Sequence, residues 1–201
     1  MMDLSTLQRT ASNPGQAFRV GFALAKGFLV KARYLGNHNV TIGPGFRAYM
    51  MPRIIGPGRV VIGAHVSMGR GFLRRPCILT HTPDSYVSIG RDSSLGGTRI
   101  SCVDSVRIGE GALLGSLTIV DSDVVPTDGM ASDAEWCRTH ARPVRLGDRV
   151  WAGINSFILG GAAVGDESVI GAGAVVQGGE VQDRSLLLGN PARRIGGTEL
   201  Q

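Results

Sequence analysis

Residues 146–176 read LGDRVWAGINSFILGGAAVGDESVIGAGAVV, and the spacing of the aliphatic residues within this stretch decides the fold. One returns at every sixth place: Leu146, Ala152, Ile158, Val164, Ile170 and Val176. Four residues after each of the first five stands Val150, Ser156, Ala162, Ser168 or Ala174, and glycine follows the aliphatic position in four of those five units. Neither the 3.6-residue period of a helix nor the two-residue alternation of a strand produces a period of six. A short strand, a turn and another short strand does. The aliphatic and small positions then point inward, and the glycine is expected to serve a turn with positive φ. A single unit cannot bury its own face, so successive units must stack and share one core.

The same phase extends upstream. It runs through IGEGAL, LGSLTI and Val120 from Ile108, through IGRDSS and Leu95 from Ile89, and through IGAHVS and Met68 from Ile62. Coils built this way stack at the strand spacing of about 4.7–4.9 Å.

The composition agrees with such a rod. Thirty of 201 residues are glycine, aromatics make up 5% and charged residues 18%, a profile of tight turns and small side chains rather than of a helical bundle or a disordered chain. Cys77, Cys102 and Cys137 are odd in number and lack metal-knuckle spacing, which points to a reducing cytosol. No apolar run approaches the roughly 18 residues of a membrane span, and a cleavable signal peptide is not expected. The net charge of +5 is concentrated at one end: residues 1–36 carry Arg9, Arg19, Lys26, Lys31 and Arg33 against Asp3, or +4. The body is left with about +1, which disfavours a nucleic-acid face.

Three further stretches carry a resemblance. RLGDRVWAGINSFIL resembles a V-W-x-G-x-N segment, VIGAGAVV a recurrent late coil, and LGNPARRI a terminal G-N-P-A-[KR]-x-I motif. Over roughly residues 40–196 the chain is similar to the hexapeptide-repeat acyltransferases, in their sugar and xenobiotic O-acetyltransferase branch. The resemblance implies an all-β solenoid, a left-handed parallel β-helix of triangular section with three hexapeptides per coil. It also implies an N-terminal amphipathic helix, an extruded loop, a short C-terminal helix and assembly as a homotrimer. The expected segments are a basic helical one at 1–36, coils at 37–120 and 146–178, the extruded loop at 121–145 and a tail at 179–201.

The loop opens with DSDVVPTD, residues 121–128. Long insertions in a rigid scaffold are usually functional. In the resembling enzymes a histidine in an H-P-x-D context takes the acceptor hydroxyl's proton. Here the residues are Val125, Pro126, Thr127 and Asp128, and Val125 stands where that histidine would be. Valine cannot act as a base, and loss of one costs on the order of 10²–10⁴ in rate. Within the same loop the candidate substitutes are His140, Asp123 and Asp128. His38, His65 and His81 read as structural or solvated, and four histidines without a close pair do not suggest a metal site.

For the acyl donor the resemblance implies acetyl-CoA, its pantetheine arm lying along Trp151, Gly153, Asn155, Gly171, Ala172 and Gly173, with Arg193 and Arg194 near its phosphates. The implied function is acetyl-CoA-dependent O-acetylation of a sugar hydroxyl, in surface polysaccharide or lipid-linked glycan synthesis. Val125 supports the alternative of a catalytically silent homologue that binds or scaffolds.

Residues 16–35 follow the turn signal Asn13-Pro14-Gly15 and read as an amphipathic helix. Phe18, Phe22, Ala25 and Leu29 share one stripe; Arg19, Lys26 and Arg33 share another, with Lys31 nearby. Two readings stay open: the helix caps the open solenoid end, or it meets an anionic membrane, as a peripheral contact on the inner face.

Overall fold

The computed structural model describes residues 14–69, 74–122 and 139–197. It is a parallel β-solenoid preceded by one helix, α1 (Pro14–Arg33). The first coil contains β1 (Val40–Ile42), β2 (Arg47–Ala48) and β3 (Arg53–Ile55). The second contains β4 (Arg59–Ile62), β5 (Ser67–Met68) and β6 (Cys77–Thr80). The third is β7 (Tyr86–Ile89), β8 (Ser94–Leu95) and β9 (Arg99–Cys102), and the fourth β10 (Ser105–Ile108), β11 (Leu113–Leu114) and β12 (Thr118–Val120). The fifth is β13 (Val144–Leu146), β14 (Trp151–Ala152) and β15 (Phe157–Ile158), and the sixth β16 (Ala162–Val164), β17 (Val169–Ile170) and β18 (Val175–Val176). Strands β19 (Gly179–Val181) and β20 (Ser185–Gly189) begin a seventh, and β21 (Ala192–Gly197) turns back along β20.

Every third strand pairs in parallel, which gives three flat sheets. The inward aliphatic residues form three columns. The first sheet aligns Ile42, Ile62, Ile89, Ile108, Leu146, Val164 and Val181. The second aligns Ala48, Met68, Leu95, Leu114, Ala152, Ile170 and Leu187. The third aligns Ile54, Ile78, Ile100, Ile119, Ile158 and Val176. All six aliphatic positions of the 146–176 stretch are buried, and so are the intervening Val150, Ser156, Ala162, Ser168 and Ala174.

Three details depart from the sequence reading. In the fourth coil the inward residue of the third sheet is Ile119, aligned with Ile158, and not Val120. That corner is one residue shorter than in the coil below, where Asn155 in a left-handed conformation (φ 55°) supplies the extra step. In the 146–176 stretch the glycines after the aliphatic positions do not provide positive φ; that conformation falls two residues later, at Arg149, Asn155, Glu167 and Gly173. The glycines are there for close approach: a Cβ on Gly63 would lie 2.7 Å from the backbone of Arg91, and one on Gly153 2.6 Å from that of Ala172. Gly90 meets the backbone of Gly109 more closely still.

Of the two readings left open for α1, the helix does cap the solenoid, through Ala23, Gly27, Val30 and Tyr34, and leaves the phenylalanine stripe exposed. Gly27 sits on the carbonyl of Phe46, where no side chain fits. The Tyr34 hydroxyl donates to the Ile54 carbonyl and accepts from its N–H, both at 3.2 Å, satisfying the open edge of the first coil. Finally, the expected short C-terminal helix is a strand. The last coil leaves one edge of β20 unpaired, and β21 fills it antiparallel, from Ser185↔Gly197 to Gly189↔Ala192. Strands β19 and β20 thus carry the coil pattern into the segment read as a tail. Among the described residues no helix is long and apolar enough to cross a membrane.

Two glycine replacements separate close approach from local propensity. Gly90→Ala is expected to lower thermal stability by about 1–3 kcal/mol, because neighbouring backbone must move. Gly21→Ala in α1, where an added Cβ meets nothing within 4 Å, is expected to stabilise by up to about 1 kcal/mol. Thermal unfolding of both variants checks the pair.

Candidate functional site

The excursion that interrupts the repeat leaves and re-enters at one corner, between the third and first sheets. Ser122 and Ala141 form an antiparallel bridge across its neck. The Arg142 N–H donates to the Asp121 carbonyl at 2.7 Å, and the Gly161 N–H to the Arg142 carbonyl at 3.1 Å.

Asp121, the first acid of DSDVVPTD, is fully buried. Its carboxylate accepts the Val103 N–H at 2.8 and 3.0 Å and the Asp104 N–H at 2.8 Å. Burial pushes its carboxyl above the usual aspartate range, against the pull of those two N–H groups. It fastens the root of the loop to the turn before β10 and faces no solvent. The thiol of Cys102 beside it is pushed up, by burial first and by the Asp121 charge second. It is therefore not a thiolate at neutral pH, and not a nucleophile.

Asp123, Val125 and Asp128 lie outside the described residues. His140 stands at the returning end of the excursion, exposed, its Nδ1 3.0 Å from the Thr139 hydroxyl. His81 bonds Ser101 through Nε2 at 2.8 Å, and His65 occupies a left-handed turn position. Among the described residues no three of His, Cys, Asp and Glu converge as a metal site would require.

The donor-side candidates gather at a different corner, between the second and third sheets. Gly153 and Asn155 occupy it in the fifth coil; Gly171, Ala172 and Gly173 lie beneath them in the sixth. The Gly173 N–H donates to the Ile154 carbonyl at 2.9 Å, and the Asn155 N–H to the Ser116 carbonyl at 2.8 Å. Asn155 and Gly173 both take positive φ, so this edge is a narrow backbone ledge. Trp151, Ile154 and Phe157 flank it, 53%, 55% and 43% exposed, with Leu113 above Trp151. Arg193 and Arg194 lie on β21 and line a cavity of about 410 Å³ at the solenoid end, where Arg194 donates to the Gln182 side chain at 2.7 Å.

Within one protomer, then, His140 and the loop root occupy one corner and the ledge another. The sequence signals for Asp121 and for the apolar flank were present but read differently. An acid directly after a strand's last residue, as Asp121 is after Val120, is a turn fastener, and Leu113 and Phe157 hold the outward places beside inward ones. A second concave surface, of about 640 Å³, runs along the first sheet past Arg107, Arg145, Asp148 and Glu180. Its arginines sit in register on β10 and β13.

Residues 143–178 match the family described as bacterial transferase hexapeptide (six repeats). That stretch of the chain carries the hexapeptide repeat. It is 30% identical over 105 residues to a putative lipopolysaccharide biosynthesis O-acetyl transferase, WbbJ, of Escherichia coli, a match covering 48% of this chain and 52% of that one. The chain spans about half the length, or less, of the curated relatives it matches. Its fold is that of the polysialic acid O-acetyltransferase OatWY, at TM-score 0.62 and 20% identity over 79% of this chain and 74% of the other. It is also that of AntD, an N-acyltransferase from Bacillus cereus in complex with dTDP and 3-hydroxybutyryl-CoA, at TM-score 0.65 and 17% identity over 83% and 87%. This hexapeptide-repeat fold is the left-handed parallel β-helix that the repeat and motifs implied.

The fastening role of Asp121 gives two expectations. Asp121→Ala strands two backbone N–H groups and is expected to cost on the order of 2–4 kcal/mol in urea unfolding. The raised carboxyl also sets a sign. The fold holds this proton more tightly than the unfolded chain, so its favourable contribution is full below the ordinary aspartate value of about 4. It is lost as the pH rises through the raised value. Asp121→Asn, which cannot titrate there, is therefore expected to gain on the parent as the pH rises from about 4 through the raised value. A pH-independent stability difference would falsify the assignment.

Proposed function

We propose that this hexapeptide-repeat protein is an acetyl-CoA-dependent O-acetyltransferase whose acceptor is a sugar hydroxyl of a surface polysaccharide or lipid-linked glycan. It would work in the cytoplasm at the inner face of a membrane, and as a homotrimer. The observation that carries the reading is the ledge of Gly153, Asn155, Gly171, Ala172 and Gly173 beside exposed Trp151 and Phe157. Exposed backbone with no side chains in the way suits the amide-bearing pantetheine arm, and the ring of Trp151 gives it an apolar wall. The relative named as an O-acetyl transferase, and a structural neighbour in complex with an acyl-CoA, support it.

The chemistry is acyl transfer. The acceptor hydroxyl oxygen attacks the thioester carbonyl while a base takes its proton, and the tetrahedral oxyanion collapses with loss of the coenzyme A thiolate. That sulfur then takes the proton, leaving an acetyl ester and free thiol. Because ledge and loop lie at different corners, a complete site on this reading joins the ledge of one copy to the loop of a neighbour. The candidate bases are His140, Asp123 and Asp128 from that loop. The exposed apolar group of Leu113, Trp151, Ile154 and Phe157 is where the neighbour would rest.

Val125 favours a second reading, a silent homologue that binds without transferring. The two separate in one experiment, coenzyme A binding and acetyl transfer measured for the parent and for Val125→His. An active enzyme is expected to bind coenzyme A and transfer acetyl groups in its natural form. A parent that binds but transfers only as Val125→His, with a gain on the order of 10²-fold or more, is the silent homologue. A parent that does not bind coenzyme A overturns both. Light scattering is expected to give three copies for the parent and fewer for Ile154→Asp, since a carboxylate on an apolar contact is costly.

A further inference from the structure

Helix α1 uses only half of its surface to cap the solenoid. At 100° per residue, Ala23, Gly27, Val30 and Tyr34 form one stripe, and Phe18, Phe22, Ala25 and Leu29 the opposite one. The first stripe is small, which lets the helix lie close on the open edge of the first coil. The second holds the large side chains and, among the described residues, is left exposed. Phe18 is 76% exposed, Phe22 56%, Phe28 71% and Leu29 59%. Amphipathic surface helices ordinarily point the opposite way, with large apolar residues inward. Leaving three phenylalanines in water forgoes their burial, so the outer face has an occupant.

The charges say which. The helix contains no acidic residue. Arg19, Lys26 and Arg33 recur seven apart along one flank of the outer stripe, and Lys31 lies on the far side of the helix from it. The Lys26 ammonium lies 4.4 Å over the Phe22 ring, and the Phe18 and Phe22 rings stack at 6.4 Å, so cations and aromatics form one continuous surface. Two such faces from two copies would set cation against cation. An anionic phospholipid surface fits both halves at once, headgroups meeting the basic flank while the rings enter the acyl boundary.

We propose that the outer face of α1 docks this protein on an anionic bilayer, with the solenoid standing off the surface. The opposition of the two stripes fixes the orientation. With the small stripe on the first coil and the phenylalanines in the lipid, the coil stack points away from the membrane. The excursion after β12 leaves from the fourth coil. Three coil spacings of about 4.8 Å and a helix body of about 10 Å place it roughly 25 Å from the phenylalanine face. This height deepens the proposed function and rests on it: the hydroxyl modified would belong to sugars well out from the lipid anchor. The docking itself does not depend on acetyl transfer.

The test is flotation of the full chain with phosphatidylcholine vesicles, with and without 30 mol% phosphatidylglycerol, a composition taken as a conventional anionic surface. Parent protein is expected to float with the anionic vesicles, and less at raised salt. Phe18→Ser, Phe22→Ser and Phe28→Ser combined are expected to reduce partitioning by at least about 100-fold, taking roughly tenfold per ring. These side chains pack on no coil, so circular dichroism and the melting temperature should hold, and acetyl transfer to a soluble acceptor serves as an independent readout of the proposed function. Absence of parent binding, or equal binding by the triple variant, overturns the docking. A parent that does not float, and whose oligomer in light scattering is broken by the triple variant, assigns the face to a second copy instead.

Discussion

Everything in this molecule follows from the strand spacing between coils. Backbone stacked on backbone at about 4.8 Å leaves no room for a side chain where the chain turns inward to the next sheet. Hence the column of glycines against the backbone of the coil below, as at Gly63 and Gly153. The inward columns obey the same limit: Ile42 through Val181 repeats one shape because each residue rests on its own counterpart. Corner aspartates extend the rule to polar groups. Asp148, Asp166 and Asp183 each accept the N–H of the coil before, at 2.8 Å, in an unbroken ladder.

That regularity explains what the sequence made legible. A period of six exposes the inward columns directly, and Ile158, Ala162 and Ile170 were assigned to the core by spacing alone. The period does not disclose a corner that drops one residue, which is why Ile119 rather than Val120 turns inward. Nor does glycine distinguish two uses, left-handed φ and close approach, because both require the absence of Cβ. The residues by which the helix caps the coil were not legible for a related reason. Hydrophobicity identifies a face that leaves water, whereas the fit on a flat coil edge selects small residues, so Gly27 and Ala23 won the contact over Phe18 and Phe22. The C-terminal strand depends on the unpaired edge of β20, which no local pattern in LGNPARRI encodes.

The candidate site was legible in part. V-W-x-G-x-N located the ledge, and the broken repeat located the loop. That the two stand at different corners of the triangle depends on counting strands around the section, which the motifs do not do. Asp121 belongs to the same lesson. In sequence it joins a cluster of acids; in space it is buried and spent on two backbone donors.

The two ends of the rod are closed by unlike devices, a helix at the first coil and the antiparallel strand β21 at the last edge of the second sheet. The helix packs on β2 of the first coil and β21 pairs with β20 of the last. The number of coils is thus a free parameter, and whole turns can be added or removed between fixed ends without redesigning either terminus. Reach, rather than chemistry, is the property that such a chain can change most cheaply over evolutionary time.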